Sequence, residues 1–203
     1  MTMSDRKKLL QIFDRLLNNY HSGVLAFVVL ETIRGEYQRF QAMEDDIFLG
    51  TLVISAYNTT VLALANTVKP SAGSINLGYM FNIVKNSDDD LKNESYDQLI
   101  SFIGEFEDTL RRIAPILQHI IHLRDTSVAH LDRKHVNNPS ALIQKPPAKW
   151  EDMYMAYTVV GSGLLEIGKL LGLESEIEDY ILISNNQLAK ETRRVYRLLY
   201  GID

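Results

Sequence analysis

From Leu99 onward the chain sets a side chain at alternating steps of four and three: Leu99, Ile103, Phe106, Leu110, Ile113, Leu117, Ile120, Arg124, Ser127 and Leu131. That spacing keeps returning to one face of a 3.6-residue helix and to no face of a strand. It predicts a long bundle helix opening near Asn93 or Ser95 and running to about Leu131, which Pro115 kinks or divides. All of the stripe is apolar except Arg124 and Ser127. A guanidinium on a core face costs several kcal/mol unless an anion or a set of acceptors meets it, so Arg124 marks a position with a purpose.

Helical periodicity continues on both sides. Leu9, Phe13, Leu16, Leu17 and Tyr20 share one face within 5–20, and Phe27, Leu30, Ile33 and Tyr37 continue it over 24–40. Ile47 to Val68 carries no charge, and Asp45 and Asp46 precede it as cap and dipole partners. Its length permits a membrane span, but Thr51, Ser55, Asn58, Thr59, Thr60, Asn66 and Thr67 make it too polar for a lipid-facing helix. The expectation is the central helix of a bundle, with no membrane. A short helix follows from Ile75 to about Val84. Trp150 to Leu171 is helical and stops at Gly172, a turn or two lies around 174–181, and a last helix runs from Gln187 to Tyr200. The fold class is all-α, an antiparallel bundle of long helices without a sheet, in one domain over 1–203. Loops are expected near 69–74, 86–93 and 133–149, the last because of Pro139, Pro146 and Pro147.

The chain has no cysteine, which removes disulfides, thiolate metal sites and cysteine nucleophiles. Met1 to Phe13 has no apolar run followed by small cleavage-site residues, so no signal peptide is expected and the predicted location is the cytoplasm. Net charge is −5 over 203 residues, against a surface that holds nucleic acid all over. Yet Arg111, Arg112, Arg124, Arg133, Lys134, Lys145 and Lys149 face only Asp125 and Asp132 between 111 and 149. A local anionic ligand and a solvated basic helix end both fit that imbalance. Arg111 and Arg112 are expected to pair with Glu107 and Asp108 one turn back. His119 and His122 share a helical face, but without a nearby carboxylate they make a weak metal site, and neither metal nor cofactor is predicted. There is no phosphate loop, dinucleotide fingerprint, nucleophile elbow or zinc-protease helix.

The segment Leu123-Arg124-Asp125-Thr126-Ser127-Val128-Ala129-His130-Leu131-Asp132 resembles the signature of the HEPN superfamily. These are helical domains named for higher eukaryotes and prokaryotes nucleotide-binding proteins, whose hallmark is Arg, four to six residues, then His. Arg15 with His21 and Arg112 with His119 share the spacing, but only the third pair sits in the fuller Leu-Arg-Asp-x3-Ala-His-x-Asp string at the end of a bundle helix. That string is similar to the abortive-infection, AbiU-like branch.

The resemblance implies a metal-independent endoribonuclease acting on single-stranded RNA, often as a toxin in phage-infected or stressed cells. Superfamily members also serve as inactive scaffolds, so a non-catalytic interaction or nucleotide-binding module is the alternative. The residue types suit the chemistry. A histidine changes charge near neutral pH, so the residue type at His130 can take a proton from a ribose 2′-OH or give one to the leaving 5′ oxygen. Arg124 offers a planar fork to the phosphorane. Asp125 can orient either group, Thr126 and Ser127 can donate to phosphate, and Arg133 and Lys134 extend the RNA-binding set. Six residues on a straight helix are about 120° and 9 Å apart, so Arg124 and His130 of one chain do not converge unless the helix loosens near Ala129 or the Arg reaches along the groove. A homodimer whose twofold axis passes near this helix end would gather two of each around one cleft. An antitoxin is a further expected partner.

Overall fold

The computed structural model describes residues 3–40, 47–69, 75–86, 94–126 and 139–202. Among them the chain forms eight helices and no strand. We number them α1 (Met3–Phe40), α2 (Ile47–Val68), α3 (Leu77–Lys85), α4 (Glu94–Arg112), α5 (Ala114–Thr126), α6 (Pro139–Gln144), α7 (Trp150–Leu170) and α8 (Glu174–Tyr200).

The two apolar stretches of the N-terminal region form one unbroken helix. Gly23 does not interrupt it, because a Cβ there would meet the Tyr157 hydroxyl at 2.2 Å and Ala63 at 2.6 Å, so the residue serves close packing. Leu9, Phe13, Leu16, Tyr20, Phe27, Leu30 and Ile33 are buried along α1 as their spacing predicts. α1 runs antiparallel to α2 and to α7. Asn19 donates to the Ala63 carbonyl and to Thr67 Oγ1, both at 2.9 Å, and Val29 and Ile33 line one cavity with Leu49 and Leu52. Tyr20 donates to the Tyr157 carbonyl at 2.9 Å, while Phe27 meets the Trp150 ring.

α2 has the bounds read from its uncharged run and lies at the centre. By length and composition Phe48–Val68 is apolar enough to cross a membrane, and 61% of that window is buried within the bundle. Its buried hydroxyls are satisfied locally: Thr60 donates to the Ala56 carbonyl and Thr67 to that of Ala63, each at 2.8 Å. α3 starts on Asn76, whose side chain accepts from the Tyr79 N–H at 2.9 Å.

The long predicted helix is divided at Ile113, one residue before α5 opens with Ala114 and Pro115. A proline in the first turn lacks only an N–H that has no helical partner there. α7 ends as expected: Gly172 takes φ +80°, and Leu173 N donates to the Gly168 carbonyl at 2.9 Å to close the turn.

Two expectations are corrected. The segment read as a loop over 133–149 contains α6, because Leu142 and Ile143 are buried and Trp150 Nε1 donates to the Ile143 carbonyl at 3.0 Å. Tertiary burial there outweighs the proline count, and Pro139 sits at the first helical position, where proline costs least. The turn and separate last helix expected over 174–200 are one 27-residue helix, which no glycine or proline interrupts. Tyr196 anchors it in the core, and the buried Glu36 carboxylate of α1 takes Arg193 at 3.1 Å and Arg197 at 2.9 Å.

Candidate functional site

The C-terminal ends of α2 and α5 meet. Each helix presents the partial negative charge of its unpaired carbonyls there, which favours cations. Two are present: Arg124 in the last turn of α5, and Lys69 one residue past α2.

The Arg124 side chain is 14% exposed, so its guanidinium lies at the edge of the core and needs partners for its donors. Nε and one terminal nitrogen approach the same Asp125 oxygen, Oδ1, at 2.9 and 2.8 Å. The other terminal nitrogen donates to Asn66 Oδ1 on α2 at 3.0 Å. The second Asp125 oxygen accepts from Lys69 Nζ at 2.7 Å. One carboxylate thus bridges two cations from two helices. The Lys69 hydrogen bond first, and the Arg124 hydrogen bond second, hold the Asp125 carboxyl below its ordinary value.

Thr126 is brought to the same helix end, but its hydroxyl donates to the His122 carbonyl at 2.7 Å, a bond back into the helix. His130, Ser127, Arg133 and Lys134 lie outside the described residues, as does the expected extension of the helix to Leu131. Of the basic stretch, Arg111 pairs with Asp108 at 2.5 Å as expected, whereas Glu107 takes Lys85 of α3 at 2.6 Å instead. His119 Nε2 lies 3.1 Å from the Pro147 carbonyl, which ties α5 to the chain entering α7. Among the described residues no three of His, Cys, Asp or Glu are grouped to hold a metal ion.

Asn66 and Lys69 are the site residues that sequence reasoning missed. On the sequence Asn66 is one polar residue among several on an uncharged helix, and Lys69 opens a loop. Their role appears only when the ends of α2 and α5 are side by side.

The arrangement is an anion-binding geometry filled by the protein's own carboxylate. The Nε edge of an arginine and a lysine ammonium converge on one group, as they do on a phosphodiester. A model of the AbiU2 family of HEPN domains matches residues 6–172, which takes in α1 to α7 and stops before α8. No curated protein and no solved structure gives a significant match.

Proposed function

This chain belongs to the AbiU2 family of HEPN domains, and from that membership we propose that it is a metal-independent endoribonuclease for single-stranded RNA, acting in the cytoplasm as an abortive-infection effector. The observation that carries this reading is Arg124: a guanidinium at the end of α5, partly exposed, held in one orientation by Asn66 and Asp125, and separated from His130 by the family's spacing.

In the proposed reaction one His130 takes the proton of a ribose 2′-OH as O2′ attacks phosphorus. Arg124 neutralises the charge that builds on the phosphorane oxygens. The bond to the 5′ oxygen breaks, a second His130 returns a proton to it, and the products are a 2′,3′-cyclic phosphate and a 5′-hydroxyl. A homodimer supplies that second histidine, with the twofold axis near the end of α5. Ser127, Arg133 and Lys134 add contacts to the strand, and an antitoxin protein is the partner that restrains it.

Incubating purified protein with RNA in excess chelator tests the reading. Cleavage that survives chelation and falls about 10²–10⁴-fold in His130→Ala supports it. Absence of cleavage on any RNA by a folded protein overturns it. A second reading, a non-catalytic scaffold or nucleotide-binding module, is favoured by one fact: both edges of Arg124 are already engaged within the chain. On that reading Arg124→Ala and His130→Ala alter partner or nucleotide binding and leave every RNA intact.

A further inference from the structure

The carboxylate at the heart of the site has a neighbour on each side, and the three groups do not play equal parts. Asp125 occupies the Nε edge of Arg124, the edge that receives two oxygens of a phosphodiester side by side. Asn66 holds the opposite side of the same guanidinium, at 3.0 Å, with an uncharged oxygen. Lys69 reaches the far oxygen of the same carboxylate from a different helix, at 2.7 Å. Asp125 is 43% exposed at its side chain and Lys69 33%, so the bridge faces solvent and its carboxylate can swing out without opening the core.

We infer that Lys69 is the second cation of a phosphodiester clasp, and that Asp125 is the clasp's internal occupant, which a nucleic-acid phosphate displaces. The inference rests on the RNA-directed reading above and adds to it a residue, Lys69, and a regulation. In the free protein Asp125 fills the anion position and cancels much of the local positive charge. When a phosphate arrives, its oxygens take the Nε edge of Arg124 and the Lys69 ammonium, while Asn66 keeps the guanidinium in place. Asp125 is then a competitor of the substrate rather than its ligand. The exchange swaps one anion for another between the same two cations, so neither the helix ends nor the guanidinium need be rebuilt.

The competition has a signature that a purely structural bridge lacks. Removing the charge of Asp125 takes a like charge away from the incoming phosphate, and about fivefold tighter binding is expected from one unit charge a few ångströms away in a solvated setting. Removing the charge of Lys69 weakens binding by a similar factor and reduces the slope of log affinity against log salt by about 0.7, the value for one phosphate contact on a single strand.

The test uses the full chain and a 2′-O-methyl RNA oligonucleotide, which binds but lacks the 2′-OH needed for cleavage. Fluorescence anisotropy over a salt series is measured for wild type, Asp125→Asn and Lys69→Gln, each shown by melting to be folded at the assay temperature. Tighter binding by Asp125→Asn together with weaker, less salt-dependent binding by Lys69→Gln supports the clasp. Weaker or unchanged binding by Asp125→Asn overturns it and makes the bridge a staple between α2 and α5. A second measurement needs no variant: in the wild type the oligonucleotide should protect Lys69 from an amine-acylating reagent, read by mass spectrometry, and an unprotected Lys69 at saturating oligonucleotide also overturns the clasp. The two readings fail separately. Binding that responds as described with no cleavage of ordinary RNA removes the nuclease and keeps the clasp. Cleavage that depends on His130 with affinities indifferent to Asp125 and Lys69 removes the clasp and keeps the nuclease.

Discussion

Arg124 is held by two oxygens of different kinds, and its neighbours answer to pH and to mutation differently. Asp125 titrates below its ordinary value of 3.8 because Lys69 and Arg124 hydrogen-bond its charged form. A carboxyl depressed in the folded state adds stability that is present in full above the ordinary value and is lost as pH falls through the lowered one. The gap in melting temperature between wild type and Asp125→Asn should therefore hold steady down from neutral pH and close below 3.8; a gap that is flat through acid would remove Asp125 as the titrating link between α2 and α5. Asn66 is uncharged, so Asn66→Ala leaves that pH profile alone. Losing a hydrogen bond to the charged guanidinium should instead weaken oligonucleotide binding by about tenfold through misaligned Arg124. Anisotropy on the uncleavable oligonucleotide checks it.

The helices packed around α2 and α5 approach one another closely. α7 presents Gly161 to the Tyr20 hydroxyl of α1 and Gly163 to the Phe106 ring of α4, where an added Cβ would lie 2.1 Å from Tyr20 and 2.0 Å from Phe106. Both neighbours are buried rings, and Tyr20 is further held by its hydrogen bond to the Tyr157 carbonyl, so neither can turn aside freely. Gly163→Ala should cost about 1–3 kcal/mol by overpacking, and each kcal/mol lowers the melting point by about 2–4 °C in a chain of this size. Thermal denaturation followed by circular dichroism reads that loss. α8 depends on a different contact. Its C-terminal half is fastened by Tyr196 and by Glu36, whose buried carboxylate accepts from Arg193 and Arg197. Glu36→Gln removes the charged acceptor while keeping the shape, at about 1.5–3 kcal/mol for hydrogen bonds to a charged group, with the lower end expected since Arg193 is half exposed. Hydrogen exchange should speed up in α8 and leave the amides of α2 unchanged.

At the scale of the whole molecule, one cluster of buried side chains runs from Leu9 of α1 to Tyr196 of α8, and Arg124 stands at its edge with solvent on one side. The proposed homodimer places two such edges together. The empty cleft then holds two Arg124 and two Lys69 cations, each pair partly neutralised by one Asp125, so the halves repel weakly until an anion enters. Sedimentation in low salt should show a dimer that phosphate tightens. A monomer at micromolar concentration with phosphate present would remove the shared-cleft mechanism. Because net charge is −5 overall, the RNA of the proposed function would approach a body of like charge through the Arg124 and Lys69 cations, and raised salt should weaken its binding by screening them.

The sequence by itself determined the fold class, most of the helices and the one charge set on an apolar stripe. α2 could be read to its ends because an uncharged run is a local property, and Pro115 and Gly172 act through their own backbone chemistry. Arg124 was legible because a charge on an apolar stripe is visible from spacing alone. Tertiary structure decided the rest. α6 forms because Leu142 and Ile143 find the core, and α8 runs unbroken through 174–181, where the sequence predicts a turn or two ahead of a separate last helix. The site's other half could not be read at all: Asn66 lies 58 positions from Arg124 and Lys69 lies 56 from Asp125. No local propensity records which helix ends will lie side by side, since that follows from how apolar faces are buried over the whole chain, and only that burial brings the Asn66 amide within hydrogen-bond reach of the Arg124 guanidinium and the Lys69 ammonium within reach of the Asp125 carboxylate.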